Sequence, residues 1–194
     1  MKHIQDFGND LRYHAINRDP TMNTRTYKGI ILYDDGCYFE GHFYQGNIHG
    51  QGRKVFPSLE VYEGEFVNGL FEGSGKYIYP NGSYYEGNWK EGRQDGIGCE
   101  YIAGQQTYNG EFKDGVKHGK GICTWNDGAK YEGEFVNGKH EGKGKYMWIS
   151  GKFYDGQWKD GKENGQGTLT VQNGRRYIGE FVDGHQHGHG KIVW

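Results

Sequence analysis

Tyr131-Glu132-Gly133-Glu134-Phe135-Val136-Asn137-Gly138-Lys139-His140-Glu141-Gly142-Lys143-Gly144-Lys145-Tyr146 decides the fold, because its pattern recurs along most of the chain. Counting from Phe39, aromatic residues stand every 23 positions, at Phe39, Tyr62, Tyr85, Tyr108, Tyr131, Tyr154 and Tyr177, without insertion or deletion. With the first residue of each repeat called position 0, glycine fills positions 2, 7, 11 and 13 in all seven repeats and accounts for 28 of the 36 glycines. A fixed period of this length is the mark of a repeat array.

Within the quoted stretch, positions 0–5 alternate an aromatic or glycine with an acid, the period of a strand with two unlike faces. Positions 6–10 open with Asn-Gly or a relative and predict a reversal. Positions 11–17 predict a second strand, and positions 18–21, such as Asn126-Asp127-Gly128-Ala129, a second turn. Each repeat therefore reads as one β-hairpin. A half repeat covers 27–38, full repeats begin at 39, 62, 85, 108, 131, 154 and 177, and residues 1–26 form a polar arm without the pattern.

Parity sets the packing. Tyr, Gly and Phe or Trp of the first strand share a face with two glycines and a further aromatic of the second, while Glu and Lys collect on the other. The sequence offers no second layer to cover the rings, so the expected fold is all-β: a single-layer, elongated antiparallel sheet in which large rings lie across bare glycine backbone. Fifteen strands at ~4.8 Å each predict a ribbon of roughly 70 Å.

Composition excludes several classes. The chain has 194 residues, with 23 Lys+Arg against 25 Asp+Glu, so no basic field exists for a phosphate backbone and nucleic acid is not an expected partner. Mean hydropathy is low at −0.96, but 31 aromatics argue for a folded chain rather than disorder. Cys37, Cys99 and Cys123 fit neither a disulfide framework nor a zinc site. With no apolar stretch of signal-peptide length and 30–32 as the longest aliphatic run, the expected location is cytoplasmic.

The repeat resembles the MORN (membrane occupation and recognition nexus) family over residues 27–194. The resemblance rests on the 28 glycines, the aromatics at position 0, and those at position 4: Phe43, Phe66, Trp89, Phe112, Phe135, Trp158 and Phe181. It implies a β-ribbon that holds other proteins in cytoskeletal, ciliary or junctional assemblies, such as axonemal or radial-spoke-like structures. Leu59 and Gln105 depart from the pattern by replacing the glycine of position 20, and Ile178 by replacing the acid of position 1.

Sharper signals weigh less. The stretches 133–139 and 156–162 satisfy Gly-x-x-x-x-Gly-Lys, but His140 and Glu163 stand where a phosphate loop needs Ser or Thr. His185, His187 and His189 alternate on one strand without a thiol partner nearby in sequence and read as solvated. His118 and Cys123 lack an orienting third group. The acids of positions 1 and 3, among them Glu63, Glu65, Glu86, Glu111, Glu132 and Glu134, read as a solvated, salt-bridged ladder. No catalytic residue, cofactor site or metal site is expected.

A one-layer sheet leaves part of its aromatic face open. Tyr79, Trp125, Tyr146, Trp148 and Trp158 are the expected protein-binding groove. The last strand, with Gly188, Gly190, Ile192 and Trp194, is the expected site of strand addition or end-to-end self-association. The functional expectation is a non-catalytic scaffold with protein partners in a multi-subunit assembly. The alternatives are a phospholipid-associated adaptor, suggested by lysines such as Lys117, Lys120, Lys139, Lys143 and Lys162, and a regulatory subunit of an enzyme on another chain.

Overall fold

The computed structural model describes residues 11–14 and 26–194; the rest of the expected arm lies outside the described residues. The chain divides into two compact units, Met1–Gln94 and Asp95–Trp194. In the first, β1 (Leu11–His14), β2 (Thr26–Tyr33), β3 (Tyr38–Tyr44), β4 (Asn47–Val55), β5 (Val61–Val67), β6 (Leu70–Ile78) and β7 (Tyr84–Lys90) pair antiparallel in chain order. The division falls inside β8 (Arg93–Ile102). The second unit continues the same plan with β9 (Gln106–Lys113), β10 (Val116–Trp125), β11 (Lys130–Val136), β12 (Lys139–Met147), β13 (Phe153–Lys159), β14 (Lys162–Thr170), β15 (Arg176–Val182) and β16 (His185–Val193). All described secondary structure is strand in one layer, as the repeat predicts.

The first turn is tighter than expected. Only positions 6 and 7 form it, both with positive φ, as at Asn137 (50°) and Gly138 (78°). This is the geometry of a two-residue hairpin turn, whose twist matches that of the strands it joins. Positions 8–10 therefore belong to the second strand and not to the turn. The sequence-based boundary fails because a second irregularity follows. Gly142 and Lys143 stand opposite no residue of β11, so the register passes from Glu134↔Glu141 to Gly133↔Gly144. Skipping two residues preserves parity, so position 9 joins the aromatic face.

That bulge gives the acids of position 3, and Gln157 at the same position, a structural job, correcting the reading of those acids as a merely solvated ladder. Glu134 Oε1 accepts a hydrogen bond from the Lys143 N–H at 3.1 Å, Glu111 from Lys120 at 2.8 Å and Gln157 from Gln166 at 2.7 Å. Amides left without a ladder partner need another acceptor. The acids of position 1 do form cross-strand ion pairs, Arg53–Glu63 and Lys76–Glu86, both at 2.8 Å.

Aromatic rings form the core. Phe39, Tyr62, Tyr85, Tyr108, Tyr131 and Tyr154 are fully buried. In the fifth repeat the Tyr131 ring covers Gly133 and Gly144, and its hydroxyl donates to the Glu134 carbonyl at 3.0 Å. Phe135 meets it edge-on at 5.1 Å and Trp158, from the next repeat, at 5.3 Å. The same herringbone runs Phe39–Phe66 and Tyr62–Trp89 in the first unit and Tyr108–Phe135 and Tyr154–Phe181 in the second. The turn N–H of Gly138 donates to the Lys117 carbonyl of the preceding repeat, and that of Gly161 to His140. The same bond ties Gly69 to Ile48 and Gly92 to Phe71 in the first unit and Gly184 to Glu163 in the second.

The departures at position 20 have distinct outcomes. Gln105 is accommodated because Gly104, one residue earlier, takes the positive φ (71°). Leu59 itself adopts φ 71°, where Gly82 and Gly128 stand in other repeats, and it is 70% exposed. A β-carbon in this conformation costs roughly 1 kcal/mol and Leu59 gains no burial in return. Leu59→Gly is expected to stabilise the first unit by about 0.5–1 kcal/mol, measured as a rise in the urea midpoint; an unchanged or lower midpoint would show the turn to be unstrained.

Candidate protein-binding face

The herringbone is a floor, and a second tier of side chains from positions 9, 15 and 17 rests on it. In the fifth repeat His140 lies flat on Tyr131 with centroids 3.7 Å apart and planes 11° apart. Phe71 makes the same stack on Tyr62, at 3.7 Å and 10°, in the first unit. Neither was marked by the sequence reading, which placed position 9 in a turn. An available signal was the apolar or aromatic character of Ile48, Phe71 and His140 at that position.

His140 is enclosed further by Phe135 at 5.4 Å and Trp158 at 5.2 Å, and burial pushes its imidazole down to about 4. The folded state therefore favours the neutral ring. Its contribution to stability is complete above the unfolded value near 6.5 and is lost as pH falls from there through about 4. Because Phe71 shows that a phenyl ring fills the same place, His140→Phe is expected to fold and to flatten the decline of Tm between pH 6.5 and 4. Parallel Tm-versus-pH curves for the variant and the natural chain would contradict the assignment.

Within this tier the second unit carries three half-exposed rings in a row. Trp125 lies 5.3 Å from Tyr146 with planes tilted by 38°, and Tyr146 lies 4.6 Å from Trp148 with a tilt of 51°. The first unit carries a comparable row, Phe56–Tyr77–Tyr79, with centroids 5.9 and 4.9 Å apart. Of the five expected groove residues, Trp125, Tyr146 and Trp148 come together, and Tyr79 belongs to the other unit's row. Trp158 is not in the groove: it is 5% exposed and its Nε1–H donates to the Gly144 carbonyl at 2.9 Å. It is part of the floor because position 4 packs between the position-0 rings of two repeats.

Polar groups surround the row. Burial, then Asp127, Cys123 and Glu163, hold the Tyr146 hydroxyl above its ordinary range. Lys152 Nζ lies 4.3 Å from the Trp148 ring centre, and Lys117 bridges to Glu100 at 2.6 Å over the Tyr108 ring. Cys123 is buried, with its thiol raised chiefly by burial. Among the described residues no three His, Cys, Asp or Glu side chains converge in a way that could hold a metal ion. On β16, Gly188 sits in the bulge, Gly190 lies under Tyr177 and Ile192 pairs with Tyr177; Trp194, expected in this strand, follows its end and is 83% exposed beneath the Arg175 guanidinium.

The family profile described as MORN repeat matches residues 39–59, 62–84, 85–105, 108–130, 131–153, 154–174 and 177–194, one segment per hairpin. The chain belongs to the MORN-repeat family. MORN-repeat chains are protein-binding or membrane-associated repeat proteins, and among the described residues no helix is long and apolar enough to cross a membrane. Among solved structures the MORN array is similar to the SAS-4 TCP domain of Drosophila melanogaster in complex with a proline-rich motif of Ana2. That match has a TM-score of 0.50 at 13% identity and covers 92% of this chain and 97% of the other. The TCP10 domain of Danio rerio CPAP matches with a TM-score of 0.43 at 11% identity, over 95% of this chain and 93% of that one. At such identities the likeness concerns the fold.

Proposed function

We propose that this MORN array is a non-catalytic scaffold that presents the aromatic row of its sheet to protein partners in a cytoplasmic, cytoskeletal or ciliary assembly. The observation that carries the reading is the Trp125–Tyr146–Trp148 row, half-exposed on a rigid floor of buried rings. Aromatic residues held this way, at low entropic cost, dominate the energetics of protein interfaces. The similar SAS-4 TCP domain, solved with a proline-rich motif of another protein, is consistent with a sheet of this kind serving as a docking surface. Lysines at the turns are matched by acids of the next repeat, Lys139–Asp160 at 2.9 Å and Lys162–Asp183 at 3.4 Å, which favours protein over anionic lipid as the main partner.

The test is quantitative mass spectrometry of material co-purified with the full chain from its own cells at physiological salt. Trp125→Ala with Trp148→Ala is expected to lower recovery of a stoichiometric protein partner by about tenfold or more. Glu132→Ala with Asp155→Ala, both position-1 acids on the opposite face, is expected to leave it unchanged. Equal losses in the two folded variants, or recovery of phospholipid without a protein, would overturn the reading.

A further inference from the structure

Trp125 and Trp148 occupy the same position in consecutive repeats, two strands apart, so the sheet spacing places them ~9.6 Å from one another. The centroid steps of 5.3 and 4.6 Å through Tyr146 set an upper limit of about 10 Å on that separation, which the spacing satisfies. A polyproline II segment advances ~3.1 Å per residue with three residues per turn, or ~9.3 Å between side chains on one edge. One turn of such a segment therefore matches one repeat of the sheet to within a few tenths of an ångström. Same-face residues of a β-strand recur at ~6.7 or ~13 Å and miss it; the seven-residue step of an α-helix, ~10.5 Å, overshoots by nearly 1 Å per repeat.

Hydrogen bonding points the same way. Tyr131 and Trp158, in the floor, spend their O–H and N–H on the backbone of the sheet. Among the described residues, the Trp125 and Trp148 indole N–H groups and the Tyr146 hydroxyl have no such partner. Three donors thus stand in a row on half-exposed rings. A polyproline segment has no internal hydrogen bonds, so its carbonyls are free to accept; a helix has already used its own. The charges supply a further preference. Asp127, two residues after Trp125, and Glu163 act on the Tyr146 hydroxyl, and Lys152 over the Trp148 ring shows that an indole face here accepts a positive charge.

We infer that the Trp125–Tyr146–Trp148 row binds a proline-rich segment of Pro-x-x-Pro spacing that carries an arginine or lysine, laid across the strands with the basic residue beside Asp127. The inference rests on the scaffold reading above and names the partner chemistry of the same face.

The probe is a synthetic peptide of about twelve residues with three prolines at Pro-x-x-Pro-x-x-Pro spacing and one arginine, titrated into the full chain. Calorimetry gives the affinity, and the indole N–H resonances give the place. The Trp125 and Trp148 signals are expected to shift while that of Trp158 stays. Trp125→Ala or Trp148→Ala is expected to weaken binding by about tenfold or more. Trp125→Phe, which retains a ring but removes the donor, tests the hydrogen bond in a variant chosen to fold. Asp127→Asn keeps the acceptor used by the Ala129 N–H and is expected to weaken the arginine peptide but not its glutamine counterpart. Absence of binding at millimolar peptide, equal binding of a peptide with prolines four apart, or affinity indifferent to both indoles would overturn the inference. If a cellular partner needs both tryptophans but docks through a helix, the inference falls and the scaffold reading stands. Capture that ignores both tryptophans removes the scaffold reading itself.

Discussion

Gly133→Ala is expected to cost the second unit about 3 kcal/mol or more, at the upper end for overpacking by a single methyl. A β-carbon at Gly133 would lie 2.5 Å from Gly144 Cα, 2.7 Å from the Lys143 carbonyl oxygen and 2.6 Å from the Tyr131 hydroxyl. Two of these three atoms are backbone in the partner strand and cannot move without separating β11 from β12. The third belongs to a ring buried on every side, so it has nowhere to swing. Gly138→Ala provides the comparison. Nothing lies within 4 Å of its added β-carbon, and the penalty is that of a positive φ alone, about 1 kcal/mol. Chemical denaturation, with amide exchange in β11 and β12 as the local readout, separates the two. Equal losses would mean that the position-2 glycines serve conformation and not the close approach of ring and backbone.

This contrast also marks what the sequence could and could not reveal. A 23-residue period and strict parity were enough to predict hairpins, a single layer and rings lying on glycine, because those features depend only on which residues alternate. The division of labour among the four glycines was not legible. Gly138 in the turn, Gly142 in the bulge, and Gly133 and Gly144 under the ring are identical letters with three different physical reasons. The bulge hid the most: it moved His140 and Phe71 from an expected turn onto the aromatic face, and it turned Glu134 from a solvent-facing acid into the acceptor for a stranded amide. Trp158 was misassigned for a related reason. Position 4 looks like any other aromatic on the open face until the position-0 ring of the preceding repeat, Tyr131 for Trp158, packs against it. The open row was legible in part, since Trp125, Tyr146 and Trp148 were picked by type and parity, whereas the unpartnered state of their donors required coordinates.

Removing the ring tests the other half of the same contact. Tyr131→Ala is expected to cost about 3–5 kcal/mol, the range for deleting a large buried aromatic. The loss has three sources that act together. The two-glycine platform is left without the atoms that covered it, and neither glycine has a side chain that could fill the space. Phe135 and Trp158 lose the ring they meet edge-on at 5.1 and 5.3 Å, and His140 loses the surface it lies flat against. The Glu134 carbonyl loses the hydroxyl that donates to it. Tyr131→Phe removes only this last term and is expected to cost about 1 kcal/mol, the usual net value of one such hydrogen bond. The chain supplies its own precedent, since Phe39 occupies the equivalent place over Gly41 and Gly52 and is as fully buried as Tyr131. Thermal and urea unfolding of the two variants decide between the terms. If Tyr131→Phe were as damaging as Tyr131→Ala, the hydroxyl would be the anchor; a large gap between them places the stabilisation in the ring, as the tight seating of Phe39 requires.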